Sequence, residues 1–211
     1  MSKLDYKKDL KHLYTPSAKE FTIIDVPPMN FLMADGQGDP NDNPAYQEVI
    51  EALYAMAYVI KFALKKQGVV EYSVPPLEGL WWADDMDAFT SGDKNRWQWT
   101  LMIMQPEAVT VEIVEQLRLE ITRKKALPAL ERLRFENYTE GLSAQILYIG
   151  AYADEGPTIA RMHDFIGEKG YQRAGKHHEI YLGDPRRTAP EKLKTVLRQP
   201  IRNRISRDEV K

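Results

Sequence analysis

The spacing of apolar residues divides the chain into two halves with a similar order of elements. In the first half, the helical period of apolar positions between 46 and 64 is the clearest signal, and Asn43-Pro44 supplies an N-cap and a first turn. Alternating or continuous apolar runs predict strands around this helix, at 21–26, 31–34, 69–74, 77–83 and 97–104. Loops are predicted at 35–40 and 84–95, and a short amphipathic helix at 4–14.

The second half follows the same plan after a helix predicted at 110–125. A helix there begins at Pro157 and ends before Gly170, which matches the preference for proline in the first turn and glycine after the last. Strands are predicted on both sides of it, at 133–138, 144–149, 177–182 and 195–199.

Short sequence similarities support an internal repeat. Residues 77–84 and 177–184 are both apolar strands that end in Asp, and residues 102–106 and 196–200 both end in Gln-Pro. We therefore predict an α+β fold built from two β-α-β-β units related by a pseudo-twofold axis. The units would span about 20–106 and about 130–200, joined by the helix at about 110–125, in one domain over 1–211. Helices on the outer sheet faces would leave a central ligand cleft on the opposite faces.

Charge and cysteine content exclude several classes of protein. The net charge is -2 and the sequence pI is about 6.1, so no bulk attraction to nucleic acid or anionic membranes is expected. Cysteine is absent, which removes thiol nucleophiles and thiolate metal sites. No secretory signal or membrane span is recognised, so we expect a cytoplasmic protein, and about twenty residues before the first strand are too few for a DNA-reading domain.

No cofactor or metal is predicted. Gly36-Gln37-Gly38 lacks the third glycine of a dinucleotide-binding loop and is interpreted as a plain turn. His177 and His178 are neighbours on a strand, so their side chains point to opposite faces and cannot hold one ion together.

Aromatic residues with polar edges suggest a site for flat organic molecules. Four Trp and eleven Tyr are many for this length, and all four Trp lie between positions 81 and 99. Because adjacent strand residues face opposite ways, one of each Trp pair is expected in the core. We favour Trp82 and Trp99 for the cleft, a choice that keeps Glu78 off the helix-packed side, and Tyr148 as a further ligand-binding residue.

Glu179 is the first candidate for chemistry. Alternation places Glu179 and Tyr181 on one strand face and Ile180 on the other, which we expect to pack on the helices. A carboxylate inside an apolar strand needs a reason, because burying it without a partner is costly. It could pair with Arg198, or recognise a cationic ligand beside aromatic rings. It could also act as a general base on water while Tyr181 or Tyr148 stabilises a departing phenolate-like oxygen.

Several linked motifs resemble the GyrI-like small-molecule-binding domain proteins. The similarity runs from about 21 to 200, and residues 78–82 resemble the stand-alone branch of the family. The motifs that carry it are Tyr148-Ile149-Gly150-Ala151-Tyr152-Ala153-Asp154-Glu155-Gly156-Pro157-Thr158-Ile159, His177-His178-Glu179-Ile180-Tyr181-Leu182, Asp184-Pro185-Arg186-Arg187 and residues 195–200.

The resemblance implies a duplicated β-α-β-β fold with a glutamate at the position of Glu179 at the base of the pocket, facing cationic aromatic ligands. It also implies two functions that the sequence leaves open. One is a hydrolase that opens the cyclopropane ring of DNA-alkylating compounds, with Glu179 and Tyr181 as catalytic residues. The other is a non-catalytic drug-binding module that acts with a transcription regulator. A third possibility is a protein-interaction scaffold, and the oligomeric state is not predicted.

Overall fold

A twisted antiparallel sheet with helices packed on it is described by the computed structural model, which covers residues 3–84 and 93–204. The strands are β1 (Thr22–Val26), β2 (Met29–Gln37), β3 (Leu77–Trp82), β4 (Gln98–Gln105), β5 (Arg134–Tyr138), β6 (Gly141–Ile149), β7 (Tyr171–Arg173), β8 (His177–Tyr181) and β9 (Lys194–Asn203). The helices are α1 (Tyr6–Asp9), α2 (Lys11–Tyr14), α3 (Pro44–Lys66), α4 (Val111–Thr122) and α5 (Gly156–Glu168). Short 3₁₀ turns lie at Lys94–Arg96, Pro128–Arg132, Tyr152–Asp154 and Pro190–Lys192.

The strands are arranged in a similar way in the two halves of the sheet. The strand order runs β1-β6-β9-β8-β3-β4-β2-β5, with β7 paired beside β9. β1 precedes β2 in the chain but pairs with β6, while β5 precedes β6 but pairs with β2. The two halves meet where β3 pairs with β8. The α+β class is confirmed, and the division into repeats at 20–106 and 130–200 remains a prediction.

Local sequence explains why α3 begins where it does and which side it buries. The Asn43 side chain accepts a hydrogen bond from the backbone N–H of Ala45, and Pro44 occupies the first turn, where its missing N–H costs nothing. The helix buries one apolar face, made of Val49, Ala52, Leu53, Met56, Ala57, Ile60 and Leu64. This face packs on β2, β3 and β4 in the largest hydrophobic cluster, which α4 also joins.

Helices α3 and α5, here called the two long helices, lie on the same face of the sheet. α3 packs on the first half, while α5 buries Met162 and Ile166 against β6 and β9. Glu179 lies on this helix-bearing face, because its partner residues across the sheet are Gly79 and Leu197, and Leu197 packs in the α5 cluster. The expectation that the cleft lies on the sheet face opposite the helices is therefore wrong; it lies between the helices.

The N-terminal segment covers the opposite face. The helix predicted at 4–14 is interrupted at Leu10, giving α1 and α2. Leu13 and Tyr14 are fully buried there, together with Ile180 and Val196. Ile180 was expected to pack on the long helices. It packs on the N-terminal segment instead.

Three other elements differ from the prediction. Residues 69–74 form no strand, because Tyr72 makes only an isolated bridge with Leu4. β7 was not predicted, since three residues are too few for a periodic pattern. β2 extends to Gln37 through Gly36, where a plain turn was expected; the indole of Trp99 would lie 2.0 Å from a Cβ at position 36, so glycine is needed there. Most of the loop predicted at 84–95 lies outside the described residues.

Candidate functional site

A large cavity lies between the two long helices, on the central strands of the sheet. Its volume is about 2270 Å³. The floor is formed by β3 and β8, one wall by α3 and the other by the start of α5. The cavity therefore lies where the two halves of the sheet join, so each half contributes side chains to it.

Glu179 is placed on the cavity floor. Its side chain is 16% exposed, and its Oε2 accepts a hydrogen bond of 2.8 Å from the hydroxyl of Tyr181. Its Oε1 lies 3.5 Å from Nε2 of His177, too far for a good hydrogen bond. The alternative of an ion pair with Arg198 does not occur, because Arg198 lies on the opposite face and binds Glu140.

A chain of hydrogen bonds holds the Glu179 side chain in place. Nε1 of Trp81 donates to the Tyr181 hydroxyl over 3.1 Å, and that hydroxyl donates its own proton to Glu179. Burial, followed by the charge of Glu179, raises the pKa of Tyr181 well above its ordinary value, so the phenol keeps its proton. Tyr181 has one proton to donate and Glu179 accepts it, so Tyr181 orients the carboxylate rather than offering a donor to a ligand.

The absence of a side chain at Gly79 makes this chain possible. Gly79 lies directly opposite Glu179 on the neighbouring strand. A Cβ at this position would lie 2.9 Å from Nε1 of Trp81 and 3.1 Å from the Tyr181 hydroxyl. Glycine is therefore required where the indole and the phenol meet.

Aromatic rings that were not the ones favoured for the cleft form much of the cavity wall. Trp81 lies edge-on to Trp97, with ring centroids 6.0 Å apart. Tyr46 of α3 lies 6.1 Å from Trp81, and Tyr152 meets Tyr181 edge to face at 5.4 Å. A signal for Tyr46 was available, because it begins the apolar stripe of α3. The position of Tyr152 depends on the loop before α5 and could not be derived from periodicity.

The predicted pair Trp82 and Trp99 does not share the cavity floor. The expectation that they lie on one face is wrong, because Trp99 is directly opposite Trp81 in the sheet. Trp99 is fully buried under the edge of Tyr46, 5.1 Å between centroids, and is not part of the cavity wall. Trp82 packs on the opposite face, where Nζ of Lys176 lies 3.2 Å from its ring centroid, although part of Trp82 also borders the cavity.

Tyr148, a further predicted ligand-binding residue, is not part of the cavity wall either. Its ring packs in the α5 cluster and its hydroxyl donates to the carbonyl of Ala151. A Cβ at Gly150 would lie 2.4 Å from that hydroxyl, so Tyr148 folds back over the glycine. Tyr152, four residues later, lines the cavity instead.

A buried polar network lies directly behind the floor, on the face covered by the N-terminal segment. Nδ1 of His178 lies 2.9 Å from Glu140 and its Nε2 lies 3.0 Å from Glu78. Arg198 donates to Glu140 over 3.0 Å, and the hydroxyl of Tyr14 donates to Glu78, also over 3.0 Å. The two carboxylates and two cationic groups balance one another.

The network explains how charges can be buried beneath the floor. Burial alone would lower the pKa of His178, but the charge and hydrogen bond of Glu140 and the hydrogen bond of Glu78 raise it to about 9. Burial alone would raise the pKa of Glu140, but His178 and Arg198 lower it to about 2. His178 therefore has a structural partner on each ring nitrogen. Among residues 3–84 and 93–204, no group of three or more metal-binding side chains is placed to hold an ion.

The fold and cavity define an α+β protein with an aromatic, carboxylate-bearing small-molecule site. A model of the GyrI-like small molecule binding domain matches residues 19–202. The chain belongs to this family.

Solved structures from Listeria innocua are similar over most of the chain. An uncharacterized conserved protein from this organism is 40% identical with a TM-score of 0.88, and the match covers 95% of this chain and 100% of that one. A hydrolase from the same organism is 38% identical with a TM-score of 0.83 and the same coverage. The C-terminal domain of EcmrR shares the fold alone, at 9% identity and a TM-score of 0.55 over 88% of this chain and 98% of that one.

No curated protein matches the chain. Within the described ranges, none of the helices has the length and apolar character needed to cross a membrane.

Proposed function

We propose that the cavity binds planar aromatic small molecules, with a preference for cations. The observation that carries this proposal is the chain from Trp81 through Tyr181 to Glu179, which fixes an acidic group among aromatic rings. Planar ligands gain about 0.5–1.5 kcal/mol per ring contact beyond the area they bury, and a cation over a ring gains about 0.5–2 kcal/mol. The Glu179 carboxylate adds an electrostatic attraction for cationic ligands that neutral ligands do not receive.

A hydrolytic reaction is a second proposal, favoured by the free face of Glu179. Its Oε1 accepts no hydrogen bond from the described part of the chain, while Oε2 is held by Tyr181. A held carboxylate with an open oxygen can take a proton from water. The similarity to a Listeria innocua hydrolase, at 38% identity over 95% of this chain, supports the same proposal.

The proposed substrate is a strained cyclopropane ring conjugated to a carbonyl group. Water attacks a ring carbon and gives one proton to Glu179; the new C–O bond forms as a ring C–C bond breaks. The electron pair of the broken bond moves to the carbonyl oxygen, which becomes a phenolate-like oxygen and takes up a proton. The net change is addition of one water molecule, and no cofactor is required.

Binding is tested with ethidium, a planar aromatic cation, by fluorescence titration at pH 7. Glu179→Gln should weaken binding by at least tenfold, because it removes the charge and keeps the shape. Asp25→Asn is the matched control: Asp25 is an exposed acid on edge strand β1, away from the cavity. Equal affinities for all three proteins would contradict the role of Glu179.

Hydrolysis is tested by incubating the protein with a cyclopropyl-dienone alkylating compound and following water addition by mass spectrometry. We expect many turnovers for the wild type, at most about one hundredth of that rate for Glu179→Gln, and the wild-type rate for Asp25→Asn. A stoichiometric complex with unreacted compound would refute the hydrolase and favour the non-catalytic drug-binding module.

A further inference from the structure

A second buried carboxyl group, that of Glu155, lines the cavity. Glu155 precedes α5 directly and is 3% exposed. Glu155 belongs to the family motif at 148–159, but nothing in the sequence indicated that its side chain turns inward. Four acidic residues within the described ranges line the cavity, but Glu51 is exposed and Asp184 is paired with a neighbouring arginine. The two acidic side chains that are neither exposed nor paired with an arginine are Glu179 on the floor and Glu155 on the α5 wall.

Glu155 has fewer partners than a buried carboxylate normally needs. Its Oε1 is buried and has no hydrogen-bond partner in the described protein. The residue occupies the N-cap position of α5, where an ionised side chain would accept backbone N–H groups, yet it makes no such bond. It takes part in none of the ion pairs formed within residues 3–84 and 93–204. An ionised carboxylate without partners is costly to bury, whereas a carboxylic acid is far less so.

The surroundings also favour the neutral acid. Burial raises the pKa of Glu155 most and the charge of Glu179 raises it further, to about 9, while hydrogen bonding by the nearby Thr195 hydroxyl has a smaller lowering effect. Glu155 in turn raises the pKa of three phenols near it, those of Tyr181 on β8, Tyr148 on β6 and Tyr152 in the preceding turn. None of these groups is a cation.

The proposed ring opening needs a group that donates a proton to the carbonyl oxygen. Tyr181 cannot be that group, because its hydroxyl already donates a hydrogen bond to Glu179. We propose that Glu155 is the proton donor of the cavity, a neutral carboxylic acid that hydrogen-bonds the carbonyl oxygen of a bound electrophile and protonates it as the ring opens. This inference rests on the proposed hydrolysis. It adds that the ligand carries a carbonyl oxygen and that the two carboxyl groups have opposite roles.

The protons balance without an added reactant. Water loses one proton to Glu179 as the C–O bond forms, and the phenolate-like oxygen receives one from Glu155 as the C–C bond breaks. The site then holds a protonated Glu179 and an ionised Glu155. Transfer of one proton from Glu179 to Glu155, directly or through water, restores the starting state.

The protonation state is tested first, without any ligand, by carbon NMR of protein labelled at the glutamate carboxyl carbons. At pH 7 we expect one signal at the position of a neutral acid, which titrates above pH 7 and is missing from the spectrum of Glu155→Gln. A wild-type spectrum in which every glutamate is ionised at pH 7 would overturn the proposal.

The donor role is tested by the kinetics of cyclopropyl-dienone hydrolysis. In Glu155→Gln, kcat should fall about 100-fold while KM changes less than about threefold, because the amide keeps the shape and cannot transfer a proton. Ethidium affinity should stay within about twofold, since no charge is lost. Asp154→Asn, at the adjacent exposed acid, is the matched control and should have wild-type kinetics.

Two failures can be told apart. A wild-type protein without turnover would refute the proposed hydrolysis itself. An active wild type whose Glu155→Gln variant keeps its kcat, or loses tenfold in ethidium affinity, would refute the donor role alone. If Tyr152→Phe loses turnover while Glu155→Gln keeps it, the donor is Tyr152.

Discussion

Removing the charge of Glu140 should destabilise the fold from behind the cavity floor. In Glu140→Gln, two cationic groups lose the carboxylate that they share, His178 at 2.9 Å and Arg198 at 3.0 Å. All three side chains are at most 2% exposed, so water cannot replace the lost interaction. Arg198 stays charged in proteins and cannot escape the cost by losing a proton.

The magnitude follows from the burial and from the size of the pKa shifts. Breaking a buried ion pair by removing one partner costs about 3–5 kcal/mol. His178 can limit the loss by deprotonating, because its pKa of about 9 is held up mainly by Glu140. The net shift of this pKa from 6.5, to which burial and Glu78 also contribute, corresponds to about 3 kcal/mol at 1.36 kcal/mol per unit. We expect a loss of about 3–5 kcal/mol at pH 7.

The sign of the pH dependence gives a second measurement. The folded-state pKa of His178 is raised, so its stabilisation is complete below about 6.5 and is lost as pH rises through about 9. The folded-state pKa of Glu140 is lowered, so its stabilisation is present above about 4.5 and is lost as pH falls through about 2. In Glu140→Gln, the loss of stability at acidic pH should disappear and the loss of stability at alkaline pH should become smaller.

Urea unfolding followed by circular dichroism measures both effects. Glu136→Gln is the control, because the Glu136 side chain is 53% exposed and pairs with Arg134 on the surface; it should lose less than about 1 kcal/mol. A loss below 1 kcal/mol for Glu140→Gln, with an unchanged pH profile, would refute the assignment of a charged buried network.

Three further changes test other parts of the structure. Gly79→Ala should weaken ethidium binding about tenfold and perturb tryptophan fluorescence, because its Cβ would lie 2.9 Å from Nε1 of Trp81; an unchanged dissociation constant would contradict this. Leu13→Ala should cost about 2–5 kcal/mol in urea unfolding, since the side chain is 0% exposed, whereas Leu119→Ala, at 61% exposure, should cost little. In the wild type, the pKa of Glu155 is raised by folding. Its contribution to stability is therefore complete below about pH 4.5 and is lost as the pH rises through about 9. Glu155→Gln should therefore gain about 1.4 kcal/mol per pH unit relative to the wild type between these values; equal pH profiles would count against a protonated Glu155.

Much of the candidate site could be predicted where one strand or helix carried the information. Alternation along β8 correctly placed Glu179 and Tyr181 on one face and Ile180 on the other. The helical period identified α3, and its first apolar residue, Tyr46, lines the cavity. These predictions depend only on the fixed geometry of a strand or a helix.

The choice between Trp81 and Trp82 could not be made in this way. Both belong to β3, and a shift of one residue in pairing exchanges their faces. The register is set by pairing of Trp81 with Trp99 on one side and with His177 on the other, 96 positions away in the chain. Alternation gave two equivalent possibilities, and only the paired strands distinguish them.

By itself, the sequence determined the α+β class, the positions of the long helices and the face that Glu179 shares with Tyr181, because each follows from local periodicity. Only the tertiary structure decided that α3 and α5 lie on the same face as the cleft, that the N-terminal segment covers the other face, and that Glu155 turns inward. These features depend on which surfaces meet after the strands pair, and the pairing joins residues about 100 positions apart at the β3–β8 junction. No pattern within a single element carries that information.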